Sequence, residues 1–142
     1  MSKVLVHHLM SSPVITFFAE QTLSLADDVM HLRHLRHIPV IDDAGRVLGL
    51  VTHRDLLRAQ WSSNRQPSPG EHLVPTSVLV RDVMTEDVRT VGADVLAAEA
   101  GQLMLDHHLG CLPVVDETGK LVGIVTERDL MRIAVRTLAM HA

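Results

Sequence analysis

Cysteine, aromatic side chains and net charge are all scarce in this chain of 142 residues. Its one cysteine, Cys111, leaves no partner for an intrachain disulfide, so a reducing compartment is expected. The aromatics are Phe17, Phe18 and Trp61, with no tyrosine, which argues against the stacked-ring platforms that hold single-stranded nucleic acids. A formal net charge of −4 and a pI near 6.2 argue equally against a surface for phosphate backbones. No apolar run of roughly 18 residues occurs, and the start lacks the basic, apolar and small-residue sections of a secretory leader. The expectation is a cytoplasmic protein with neither membrane nor nucleic acid as a partner.

What the chain does contain is hydrophobic material, 46% of its residues, and one segment written twice. Residues 8–59 and 82–133 align at an offset of 74 without a gap over 52 positions, 19 of them identical. His37-Ile38-Pro39-Val40-Ile41-Asp42 answers Cys111-Leu112-Pro113-Val114-Val115-Asp116. Gly49-Leu50-Val51-Thr52-His53-Arg54-Asp55-Leu56 answers Gly123-Ile124-Val125-Thr126-Glu127-Arg128-Asp129-Leu130. Two copies suggest a closed pair related by a pseudo-twofold axis. A copy of roughly 50–60 residues is near the lower limit for an independent core, so a single shared core is expected. The division is 1–61 for the first repeat, 62–76 for a polar linker rich in Pro and Ser, and 77–142 for the second repeat. Charge is unequal: the first copy has five Arg or Lys against six Asp or Glu, the second four against ten.

Each copy reads β-α-β-β-α. A short strand (14–16; 88–91) precedes a helix opened by Thr22 or Asp94 as N-cap. Helical spacing of Leu25, Val29, Leu32 and Leu35, and of Leu96, Ala100, Leu103 and Met104, predicts the buried faces. A strand (38–41; 112–115), a turn at Asp43-Ala44-Gly45 or Glu117-Thr118-Gly119, and a return strand (47–51; 121–125) form a hairpin. A second helix starts at Thr52 or Thr126. Segments 4–10 and 78–84 read as short apolar turns or helices ahead of each copy.

The chemistry lies in Gly-x-Val-Thr-x-Arg-Asp, present twice. Thr-x-x-Asp at a helix start is a capping box, in which the hydroxyl accepts from a backbone N–H and the acid reaches back. The same geometry suits a nucleotide. Helix N-termini favour phosphate, and a carboxylate one turn in can accept from the two hydroxyls of a ribose. Both readings are compatible.

The repeat, the hydrophobic-Pro-Val-hydrophobic-Asp strand, the Gly-x-x-Thr-x-x-Asp helix start, and Met10-Ser11 and Met84-Thr85 before the first strands together resemble cystathionine-β-synthase (CBS) domains. The resemblance covers about 105 residues and implies an α/β Bateman module of two tandem repeats. It implies an adenosine ligand (AMP, ADP or ATP) between the copies, a homodimer, and regulation of an unidentified protein. Carried over, one cleft takes Thr52 and Asp55 for ribose, Arg36 and His37 for phosphate, and Val88, Arg89, Leu109 and Gly110 for adenine. The other takes Thr126 and Asp129, lined by Val14, Ile15, Leu35 and Arg36. Gly110-Cys111 replaces Arg36-His37 there and supplies no cation. Arg54 and Arg128 are further phosphate partners, or solvated helix-surface arginines.

Alternative readings are a structural dimerisation module without ligand, and a binder of S-adenosylmethionine or NAD. Catalysis is not expected, because neither a carboxylate cluster nor a nucleophile with its base occurs at recognisable spacing. No metal is expected. His31, His34 and His37, and the pairs His7-His8 and His107-His108, lack the convergence and carboxylate or Cys company of a metal site. Cys111 reads as a small buried hydrophobe.

Overall fold

The structure, a computed structural model, describes residues 3–62, 74 and 77–142. The linker read over 62–76 falls, apart from Ser62 and Val74, outside the described residues. The elements are α1 (Val6–Leu9), β1 (Phe17–Phe18), α2 (Leu23–Arg33), β2 (His37–Ile41), β3 (Val47–Thr52), α3 (His53–Ser62), α4 (Val80–Val83), β4 (Val91–Gly92), α5 (Ala97–His107), β5 (Cys111–Val115), β6 (Leu121–Thr126) and α6 (Glu127–Met140). They form two compact units, one of 15–88 and one of 1–14 with 89–142.

Each unit holds a three-stranded sheet, ordered β1-β2-β3 or β4-β5-β6, whose first pair is parallel and second antiparallel. The hairpins close by side-chain chemistry. Asp42 Oδ1 accepts from the N–H groups of Ala44 and Arg46, each at 2.9 Å. Asp116 Oδ1 accepts from Thr118 N at 2.8 Å, Thr118 Oγ1 at 2.7 Å and Lys120 N at 3.1 Å. The Thr118 hydroxyl is the main reason the Asp116 carboxyl lies below its usual range. Gly45 and Gly119 take φ of 83° and 87°, a region glycine enters without steric cost. The aspartate that ends each Pro-Val strand thus belongs to the turn.

The leading segments are exchanged. Segment 77–88, which precedes the second copy in sequence, is stitched to the first. Leu23 N donates to Val78 O (2.8 Å), Val80 N to Gln21 O (2.8 Å), Arg81 N to Ala19 O (2.9 Å), and Thr85 and Leu50 bond reciprocally (2.9 Å each). Segment 4–14 does the same for the second copy: Ala97 N donates to Val4 O (2.9 Å), Val6 N to Val95 O (2.8 Å), His7 N to Ala93 O (3.0 Å), and Ser11 and Ile124 bond reciprocally (2.9 and 3.1 Å). Repeats along the chain and compact units in space are therefore cut at different places. The segments 4–10 and 78–84 do form short helices, α1 and α4.

Several expectations are corrected. The first strands start at Phe17 and Val91, three residues after the predicted Val14 and Val88. Ser11 and Thr85 are already paired to Ile124 and Leu50, and the chain must leave that pairing before β1 or β4 can begin. Thr22 is the N-cap of α2 as expected, but Leu96, not Asp94, caps α5. Neither cap uses a side chain; the carbonyls of Val78 and Val4 accept from the first helical N–H groups instead. Of the residues expected along α2, Val29 and Leu35 pack against the core, whereas Leu25 and Leu32 are 42% and 78% exposed; the fully turned-in residues are Leu23, Ala26 and Met30. In α5, Ala100, Leu103 and Met104 turn inward as predicted.

The single shared core is also corrected. Among the described residues, Leu23, Ile38, Val51, Leu56 and Val80 belong to one apolar cluster, and Val6, Met104, Leu112, Val114 and Val125 to another. Val80 and Val6 are fully buried, so each exchanged segment supplies apolar bulk that its host copy lacks.

Candidate functional site

In each unit the functional motif sits where a strand runs directly into a helix, β3 into α3 and β6 into α6. Thr52 N and Thr52 Oγ1 both donate to Asp55 Oδ2, at 2.8 and 3.1 Å, and Asp55 N donates back to Thr52 Oγ1 at 3.4 Å. Thr126 repeats this toward Asp129 Oδ2 at 2.8 and 3.2 Å. The capping box is therefore real in both copies. It engages one carboxylate oxygen and leaves Oδ1 outside. An ionised carboxylate only accepts hydrogen bonds and has about four lone-pair sites. Both aspartates are 8% exposed, so each is a nearly buried acceptor aimed from a helix start.

The residues before β2 and β5 are brought to the same point. His53 N donates to Arg36 O at 2.8 Å, and His37 lies opposite Thr52 in the β2–β3 register. Arg36 and His37 thus flank the Thr52–Asp55 box. In the second copy Glu127 N donates to Gly110 O at 3.1 Å, and Cys111 lies opposite Thr126. Leu35 and Leu109 are half-buried just before these points, each following a left-handed histidine, His34 or His108 (φ 54° in both).

One unit therefore holds Ile15, Leu35, Arg36, His37, Thr52, Arg54, Asp55 and Val88, and the other holds Val14, Arg89, Leu109, Gly110, Thr126, Arg128 and Asp129. Arg54, Arg89 and Arg128 are exposed, as are His31 and His34. Cys111 is 4% exposed, and burial, helped by Glu127, pushes its thiol up to about 12. It stays protonated at neutral pH.

Sequence reasoning missed a groove of about 540 Å³ beside Asp129. Its apolar wall is Val4, Leu9 and Ile133, and its polar lining includes Lys3, His8, Arg132 and Arg136. Arg132 Nη1 stands 3.7 Å from Asp129 Oδ1, the oxygen outside the box. The available signal was the spacing of Asp129, Arg132 and Arg136 along α6, at i, i+3 and i+7.

The CBS domain profile matches residues 6–62 and 80–136. The chain belongs to the CBS domain family. A CBS domain-containing protein of Dictyostelium discoideum is 33% identical over 138 residues, covering 96% of this chain and 94% of its own. The solved CBS domain pair of protein MJ0100, in complex with 5′-methylthioadenosine and S-adenosyl-L-methionine, superposes with a TM-score of 0.77 at 25% identity, covering 92% and 98% of the two chains. The cytosolic domain of the Mg2+ channel MgtE, in complex with ATP, gives 0.70 at 28% identity, covering 88% of this chain and 46% of that one. The chain also matches inosine-5′-monophosphate dehydrogenases, of which it spans 21%. The fold is thus α/β with two tandem CBS repeats, and the Thr-Asp box stands at the same place in both.

Proposed function

We propose that this CBS pair is a non-catalytic sensor of an adenosine nucleotide of the AMP, ADP or ATP class. The observation that carries the reading is the pair of Thr-x-x-Asp boxes, each with an aspartate only 8% exposed whose second carboxylate oxygen lies outside the cap. In this reading Asp55 and Asp129 hold ribose hydroxyls, with Thr52 and Thr126 orienting them. Arg36 and His37 face phosphate beside Asp55. Arg54 and Arg128 add charge, and Val14, Ile15, Leu35, Val88, Arg89, Leu109 and Gly110 supply the adenine surroundings. The ligand complexes of the MJ0100 pair and the MgtE domain support an adenosine ligand. Ligand binding biases one packing of the module over another, and an unidentified regulated protein reads the result.

A thermal-shift screen with AMP, ADP, ATP, NAD and S-adenosylmethionine tests this. Ligand at a hundredfold excess over Kd should stabilise by about 2.7 kcal/mol. Asp55→Ala and Asp129→Ala should lower unliganded stability by about 1 kcal/mol, the worth of a cap, and abolish part or all of the ligand shift. A purely capping role, which the observed hydrogen bonds also satisfy, predicts the first effect with no ligand shift to lose. Silence toward all five ligands, in protein freed of co-purified nucleotide, would sink the sensor reading.

A further inference from the structure

We infer that the groove beside Asp129 seats the phosphate chain of a nucleoside di- or triphosphate, in preference to an uncharged nucleoside or S-adenosylmethionine; this rests on the proposal that Asp129 holds ribose. The groove gathers three basic side chains, Lys3, Arg132 and Arg136, around a single carboxylate, with His8 beside them. Such a concentration stands out in a chain of net charge −4, in the copy richer in acids. Position along α6 gives the direction. At 1.5 Å per residue, Arg136 lies about 10 Å from Asp129 along the helix axis, with Arg132 between, so a chain of phosphates leaving a ribose at Asp129 meets one guanidinium and then the next. Guanidinium binds phosphate oxygens through paired charge-assisted hydrogen bonds. The sulfonium of S-adenosylmethionine would meet like charge instead.

The first copy provides the contrast. At the offset of 74, Arg132 is answered by Arg58, but Arg136 by Ser62, Lys3 by Ser77 and His8 by Asp82. Asp82 is occupied in capping Leu79 N at 2.9 Å. The counterpart positions therefore carry one cation against two acids, Asp55 and Asp82. The second copy, which lacks an equivalent of Arg36-His37, draws its cations from α6 and the exchanged segment.

Calorimetric titration with ATP and with adenosine, at low and moderate salt, decides the matter. Arg132 and Arg136 are both exposed, so Arg132→Ala/Arg136→Ala should fold normally. It should weaken ATP about tenfold or more and adenosine less than about twofold. Arg58→Ala should leave the ratio of the two affinities unchanged, and added salt should erode the ATP preference of the wild type. Equal losses for ATP and adenosine, no loss, or an equal effect of Arg58→Ala would overturn the inference while leaving the adenosine sensor intact. Failure of the wild type to bind either compound would overturn both.

Discussion

At Cys111 burial is the larger of two causes that settle the chemistry of the residue. Its thiol is raised from 9.0 to about 12, chiefly by burial and then by the Glu127 charge. A free cysteine in the unfolded chain loses its proton near 9, whereas the folded protein keeps it until about 12. Across that window the folded state binds the extra proton, so stability falls as pH rises. The chain has no tyrosine and only two lysines, which makes the thiol a principal titrating group there. Urea denaturation at pH 8 and pH 10 should show a drop in the wild type and a smaller drop in Cys111→Ala, whatever their absolute stabilities. Equal drops would mean the thiol is not the source. The buried, inert character of Cys111 was legible in its apolar strand, and so was the Thr-x-x-Asp box. The arginines of α6 were not, because the groove needs residues 3–9, more than a hundred positions away in the sequence.

At the scale of elements, the glycines that open the helix-start motif are fixed by the exchanged segments. A Cβ on Gly49 would come within 2.8 Å of Met84 Sδ and 2.8 Å of the Thr85 carbonyl oxygen. A Cβ on Gly123 would strike the Met10 thioether, with Met10 Cγ at 2.9 Å, but no backbone atom is among its nearest neighbours. A thioether side chain can rotate away, whereas Thr85 is held by reciprocal hydrogen bonds to Leu50. Gly49→Ala should therefore cost about 1–3 kcal/mol, the range for overpacking, and Gly123→Ala less. Chemical denaturation of the two variants measures the difference, and the reverse order would refute the account. Met10-Ser11 and Met84-Thr85 were visible as part of a pattern, but not the reason for it. On α2, Leu25 and Leu32 carry a stronger apolar signal than Ala26, yet Ala26 is the one that is buried, alongside Val29 and Leu35 packed on the core. Strand starts slipped by three residues because pairing with an exchanged segment leaves no local trace.

For the whole molecule, the duplication made the fold legible before any propensity was weighed, while the exchange of leading segments, with its two separate cores, was hidden. Exchange depends on backbone hydrogen bonds between distant stretches, and every peptide carries the same donors and acceptors. The duplication also leaves an unbalanced surface. On α6, Met131, Val135 and Leu138 are 63%, 57% and 71% exposed, at spacings of four and three residues that align them along one side of the helix. We propose that this stripe joins two copies of the chain as a homodimer, since contiguous exposed apolar side chains of this kind mark association surfaces. Light scattering on a sizing column should then report about twice the 15.7 kDa chain mass. Val135→Asp/Leu138→Asp should shift the protein to the chain mass with little change in thermal stability at low concentration, because neither side chain is buried within the protomer. A wild type that elutes at the chain mass at micromolar concentration, or a double variant that remains dimeric, would remove α6 from the interface.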